Sequence, residues 1–329
     1  MRNILSLLSI IVLIVILSAI SCSSGKKSQS AQHELPVLET SAPAQTVVSD
    51  TFVLPDMPES LTDTDERAKF LVMHYWDRFD FSDTDLIMRP EITEQAFVDY
   101  INILNYVPQE IAGESLIKTL GNAEAYKEMY MHFVSLFEKY FYDPNSPFRN
   151  EEFYIPVLNE ITGSSVLSDE RKSVYEFQLD MAMKNRVGDR ANNFSYTVAS
   201  GQTSYLYDLQ SEYILLMFSN PGCPTCEAVT AQLDNSKPLN DALSLNSPTR
   251  TMLTILTLYP DEDLGEWLAH LPQMPSNWVH GYDKGMQITQ KKLYDIKAIP
   301  TLYLLDKDKN VVLKDTSIEA IESFFTVRH

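Results

Sequence analysis

The stretch Tyr213-Ile214-Leu215-Leu216-Met217-Phe218-Ser219-Asn220-Pro221-Gly222-Cys223-Pro224-Thr225-Cys226 decides the fold. A continuous apolar run of strand length, broken by Asn-Pro-Gly and followed by a polar-apolar helical pattern, reads as a buried strand turning into a helix. Both thiols then fall in the helix's first turn. A helix N-terminus carries partial positive charge and unpaired N–H groups, which favour a thiolate over a thiol. Cysteines three apart share a helical face and can close a small disulfide ring with little backbone movement. Pro224, at the first helical position, has the required φ and lacks only an N–H that would be unpaired there. Cys223 is the candidate nucleophile and Cys226 the resolving thiol, with Gly222, Pro224 and Thr225 as the supporting motif residues.

Other uses of the pair fit less well. A zinc site needs about four ligands, and the chain has no second CxxC and no His-x₃₋₅-His. A purely structural disulfide across so short a loop would restrain little of the unfolded ensemble.

A second motif lies downstream: Tyr294-Asp295-Ile296-Lys297-Ala298-Ile299-Pro300-Thr301-Leu302-Tyr303-Leu304-Leu305-Asp306. With the lead-in Phe194-Ser195-Tyr196-Thr197-Val198 and the CxxC, the span from about residue 194 onward resembles a thioredoxin-like domain of the secreted, membrane-tethered kind. The chain as a whole is similar to thioredoxin-like thiol-disulfide oxidoreductase lipoproteins of the TlpA/AhpC-TSA type, with an N-terminal helical domain, as in Bacteroides-group bacteria. The resemblance implies that Ile299-Pro300-Thr301 is the cis-proline loop facing the disulfide, with Ile299, Pro300 and Thr301 as substrate-binding residues. It also implies thiol–disulfide exchange, with no cofactor and no metal.

Three positions depart from thioredoxin itself. Met217 replaces a buried acid six residues before the first cysteine, Gly222 the usual tryptophan, and Thr225 a proline. Glu227 follows Cys226, but adjacent helical residues face about 100° apart, so it reads as a solvated acid at the helix start.

The N-terminus reads as an export signal with a lipid attachment site. Arg2 supplies the positive charge, residues 4–20 are almost uninterruptedly apolar, and Ala19-Ile20-Ser21-Cys22 resembles a bacterial lipobox, which implies cleavage before Cys22 and lipidation of it. An uncleaved signal anchor is the alternative. Either way the rest of the chain is expected in the bacterial cell envelope, held to a membrane and facing the periplasm or the exterior. If Cys22 carries lipid, Cys223 and Cys226 are the remaining thiols of the three cysteines, a poor endowment for an exported protein stapled by disulfides.

The formal charge of −19 argues against nucleic acid as a partner. The expected partners are protein disulfide substrates, the membrane through Cys22 and, for a reductase, a membrane electron donor. The expected organisation is a signal peptide over residues 1–21, a flexible Ser/Pro/Ala/Thr-rich tether over 22–55, an all-helical domain over 56–188 and a thioredoxin-like domain over 189–329.

The helical pattern starts with Thr62 and Asp65 as a cap. A second helix follows Thr93, a third stops at Gly121, and a fourth carries an aromatic stripe of Tyr126, Tyr130, Phe133, Phe137, Tyr140 and Phe141. Rings at helical spacing are read as core, and His74 and His132 as structural, since neither has partners at ligand spacing. Two further helices precede Gly188-Asp189-Arg190, the expected boundary. Beyond it, strands near 196–198, 213–219, 252–259, 279–281, 302–305 and 311–313 alternate with helices, giving a mixed sheet with helices on both faces.

The expected function is a tethered thiol–disulfide oxidoreductase, with reduction favoured. The alternative is a non-catalytic envelope binding protein whose helical domain grips a partner. Peroxide reduction fits less well, because Asn220 stands where a threonine is usual three residues before the nucleophile.

Overall fold

Six helices come first in the computed structural model, which describes residues 51–328. They are α1 Thr64–His74, α2 Thr93–Ile103, α3 Gln109–Ala123, α4 Lys127–Phe137, α5 Glu151–Gly163 and α6 Asp169–Ala182. The Asp63 carboxylate caps α1, accepting from the N–H groups of Asp65 and Glu66; the expected cap at Thr62 is one residue early. Gly121 lies inside α3 instead of ending it, because Ala123 beyond it is still needed in the core. After α4 the backbone widens into a π turn over Glu138–Tyr142.

The aromatic stripe is core. Tyr130, Phe133, Phe137 and Phe141 are buried in one cluster with Trp76, Phe97 and Tyr100, whereas Tyr126 is exposed. The rings meet mostly edge to face, as in Trp76 against Phe133 with centroids 5.1 Å apart at 82°. His74 pairs with Asp77 on the surface. His132 meets the edge of Phe133.

The α/β region contains β1 Ser195–Val198, β2 Thr203–Tyr205, β3 Tyr213–Phe218, α7 Pro224–Asn235, α8 Lys237–Ser244, β4 Leu253–Tyr259 and α9 Leu264–His270. It continues with β5 Val279–Tyr282, α10 Gln287–Gln290, β6 Thr301–Asp306, β7 Val311–Leu313 and α11 Ile318–Arg328. The strands form a seven-stranded mixed sheet in the order β2-β1-β5-β4-β3-β6-β7. Central β3 runs parallel to β4 and antiparallel to β6.

That position explains the unbroken apolar run. Ile214, Leu216 and Phe218 enter one core with Leu256, Leu258 and Tyr303, while Leu215 and Met217 enter another with Leu233, Ile321 and Phe325. A strand covered on both faces has no place for alternating polar residues. At β5, a Cβ on Gly281 would come within 2.8 Å of Tyr196 Cδ2, so only glycine lets β1 lay that ring across its neighbour.

All the described residues fall in one compact unit. Around the expected boundary the chain already borders the sheet: the Gly188 N–H donates to Val311 O at 2.8 Å, and that of Ala191 to Lys309 O at 2.9 Å. Among the described residues no helix is long and apolar enough to cross a membrane, and the expected lipidation site at Cys22 lies outside them.

Candidate active site

Cys223 ends the turn that leaves β3. Gly222 just before it takes φ +67°, a left-handed conformation that glycine adopts without steric cost. Cys223 is then the cap of α7, and Pro224 is the first helical residue, as its fixed φ allows. The Cys226 N–H donates to Cys223 Sγ at 3.2 Å, so the sulfur occupies the place that a serine or aspartate oxygen takes in an ordinary cap.

Both cysteines are free thiols. Cys223 is half-buried and Cys226 buried, and Pro224 and Thr225 between them are exposed. Burial, reinforced by the neighbouring Cys223 sulfur, pushes the Cys226 thiol up to about 12. The two sulfurs are therefore unlike: one stands at the surface and the other is held back as a protonated thiol.

The second motif closes over this pair. The Ile299–Pro300 peptide is cis, and the Cys223 thiol donates to Ile299 O at 3.9 Å, a long sulfur contact. β6 begins at Thr301, directly opposite Phe218, so sheet pairing itself brings residues 299–301 to the end of the strand that delivers the cysteines. Thr301 does not line the open surface. Its side chain is buried, and its hydroxyl donates to Ala298 O at 2.5 Å, tying the loop to itself.

Met217 lies in the same apolar core as Cys226, and Glu227 is exposed. Behind the cysteine is a cavity of about 20 Å³, lined among others by Asn220, Glu227, Thr257, His270 and His280, which is room for about one water. His280 is neutral there. Burial keeps its pKa below the ordinary value, and because a carbonyl can only accept, Nε2 donates to Pro275 O at 2.8 Å and Nδ1 accepts from the Thr257 hydroxyl at 2.7 Å. Sequence reading missed both His280 and Glu266. The Glu266 carboxylate stands 3.5 Å from where a Gly222 Cβ would be, and the sequence separation of these residues gave no sign of that proximity. Among the described residues no group of three or more His, Cys, Asp or Glu could hold a metal ion.

A mixed sheet, a CxxC at the start of the helix after its central strand, and a facing cis-proline loop define a thioredoxin-like domain. A family described as thioredoxin-like matches residues 211–311, and a domain of unknown function, DUF5106, matches residues 21–185. The chain belongs to the thioredoxin-like proteins that carry this helical region ahead of the redox fold. It is similar to a thioredoxin-like protein from Bacteroides caccae ATCC 43185, with 45% identity over 85% of this chain and 99% of that one and a TM-score of 0.81. The C-terminal domain of an uncharacterized protein from Bacteroides fragilis NCTC 9343 is 42% identical over 43% of this chain and 98% of that one, with a TM-score of 0.41. A domain of a possible thiol-disulfide isomerase from Cytophaga hutchinsonii ATCC 33406 is 26% identical over 44% of this chain and 95% of that one, with a TM-score of 0.37. Among curated proteins there is no match.

Proposed function

We propose that the chain is an envelope thiol–disulfide oxidoreductase that reduces disulfides in protein substrates. One observation carries the reading: an accessible sulfur at a helix N-terminus, accepting the Cys226 N–H and facing the carbonyl before Pro300, with a buried thiol one turn behind it. The thioredoxin-like family supports it.

Cys223 Sγ attacks one sulfur of a substrate disulfide. The substrate S–S bond breaks, a mixed disulfide forms, and the departing thiolate takes up a proton. Cys226 then loses its proton and attacks Cys223 Sγ, releasing the second substrate thiol and leaving a Cys223–Cys226 disulfide. Two electrons pass to the substrate, so each turnover needs a dithiol donor to reduce the pair again. In the envelope that donor is a membrane protein.

One feature supports reduction over oxidation. A thiol whose proton is hard to remove is a poor leaving group, which stabilises the disulfide it forms and makes the dithiol more reducing; Cys226, at about 12, is such a thiol. The lipobox-like Ala19-Ile20-Ser21-Cys22 supports tethering by lipid at Cys22 and a place outside the cytoplasm.

Trapping tests the mechanism. Incubated with a disulfide-containing protein such as insulin, a Cys226→Ser variant should accumulate a mixed disulfide at Cys223 that a reductant releases, and a Cys223→Ser variant should accumulate none. Absence of any adduct with Cys226→Ser would overturn the reading.

A further inference from the structure

The loop ahead of Pro300 is held from behind by the helical region. Lys297, two residues before Ile299, extends its ammonium into the interface and donates to the carboxylate of Glu151, the first residue of α5. The same ammonium lies 2.7 Å from Asp295 Oδ2 and 4.4 Å from the ring centre of Tyr142. The second Glu151 oxygen is 2.6 Å from Lys314 Nζ, which also donates to the carbonyls of Ala182 and Lys184 at the end of α6.

These charges are desolvated. The Lys297 side chain is 6% exposed and that of Glu151 11%. In such surroundings a charge that loses its partner is strongly penalised, so the pair fixes geometry far more firmly than a surface ion pair does. Two neighbouring contacts reinforce it: the Asn185 side chain donates to Leu293 O at 2.8 Å, and Lys292 lies over the Phe177 ring at 4.7 Å. Residues 292–297 are thus gripped at three points from the helical side, while Ile299 O, at the other end of the loop, faces Cys223.

We infer that Glu151 and Lys297 are positioning residues for the substrate loop, and that the helical region serves as a buttress setting the distance between the Ile299–Pro300 backbone and the Cys223 sulfur. This rests on the exchange function proposed above. Neither side chain touches the reacting sulfurs. Their effect falls on substrates that dock against the loop backbone and spares reagents that need only an accessible thiolate, since small misplacements of a positioning element are costly for the oriented reaction alone.

The test uses the full chain, reduced, with Cys223→Ser as the blank. Reduction of insulin reports on loop-docked exchange, and reaction with dithionitrobenzoate reports on the Cys223 sulfur itself. Glu151→Gln and Lys297→Met should each slow insulin reduction on the order of 10- to 100-fold, with the dithionitrobenzoate rate within about twofold of wild type. The double variant, which removes both charges of the pair and takes one contact each from Asp295 and Lys314, should still show the selective defect. Glu152→Gln is the control. Its carboxylate pairs with Arg186 within the helical region, so it perturbs α5 without touching the loop and should keep the wild-type insulin rate. Equal losses with both reagents, an unchanged insulin rate, or a Glu152→Gln defect as large as that of Glu151→Gln would overturn the proposal. Wild-type protein that reacts with dithionitrobenzoate but not with insulin would count against the exchange function. Amide exchange at residues 297–299 would then decide the anchoring, at least about tenfold faster in Glu151→Gln than in Glu152→Gln if the buttress is real, with equal rates overturning it.

Discussion

The helical region and the α/β region bury their apolar residues in opposite ways. The helices gather theirs into one aromatic cluster, from Trp76 and Phe97 to Phe133 and Phe141, with its histidines at the margins and no thiol among them. The α/β region divides its core across the two faces of β3 and brings the end of that strand to the surface with its polar turn and Cys223, keeping Cys226 buried one turn behind. One region is built to be filled, the other to present a strand end. The two cysteines sit where a buried strand stops and its turn meets a helix N-terminus.

Removing the sulfur should produce the sharpest separation between the regions. Cys223→Ser is expected to lower insulin reduction by at least about 10³-fold while leaving the melting curve essentially as it was. Activity that survives would place the function elsewhere, with the helical region as first suspect.

Next in size is the aromatic core. Phe133→Ala should cost about 3–5 kcal/mol of unfolding free energy by chemical denaturation, from lost burial and the cavity left behind. Since all the described residues form one compact unit, the loss should appear in the cysteine-bearing region too, as faster exposure of Cys226 to alkylation in denaturant. Helices that melt while Cys226 stays protected would show that the two regions unfold independently.

A smaller effect is expected where β5 packs beside β1. Gly281→Ala should destabilise by about 1–3 kcal/mol through overpacking, because the added Cβ meets the Tyr196 ring. A neutral result would mean that β1 yields easily, and that the lead-in hairpin is looser than the central strands.

The smallest effect depends on pH. His280 is held neutral by burial, with its pKa lowered from 6.5. Below about pH 6.5 the unfolded chain then binds a proton that the folded one refuses, so stability present above that pH is lost as the pH falls through the folded value. His280→Gln should flatten part of this acid slope in denaturation curves measured between pH 7 and pH 5, a window set by the ordinary histidine value of about 6.5. An unchanged slope would assign it to other groups, His132 among them.

The α/β region was more legible in sequence than the helical region, for a physical reason. A strand buried on both faces is written as an unbroken apolar run, and the Asn-Pro-Gly turn and Pro224 mark its end, so β3, α7 and the cysteines could be placed from local pattern alone. The short α8 and α10 were not foreseen, being only eight and four residues long. The Gly121 stop failed because burial of Ala123 outweighs the weak helix propensity of one glycine. The aromatic stripe was legible as core, but which rings meet depends on helix packing. Least legible was the interface: nothing in the separate neighbourhoods of Glu151 and Lys297, 146 residues apart, indicates that they meet. Thr301 was placed correctly in the chain but assigned to the loop surface, and only the pairing with Phe218 reveals that its side chain turns inward.

Whether Cys223 and Cys226 form a reducing dithiol, as proposed, is read most directly from the reduction potential of the pair. The protein would be equilibrated with dithiothreitol or glutathione buffers and the two-electron state read by alkylation and mass. A potential toward the thioredoxin end of the range, about −270 mV, is expected, since a thiol pushed up to about 12 favours the disulfide it forms. A potential near that of the strong oxidants, about −120 mV, or a pair that does not exchange at all, would contradict the proposal.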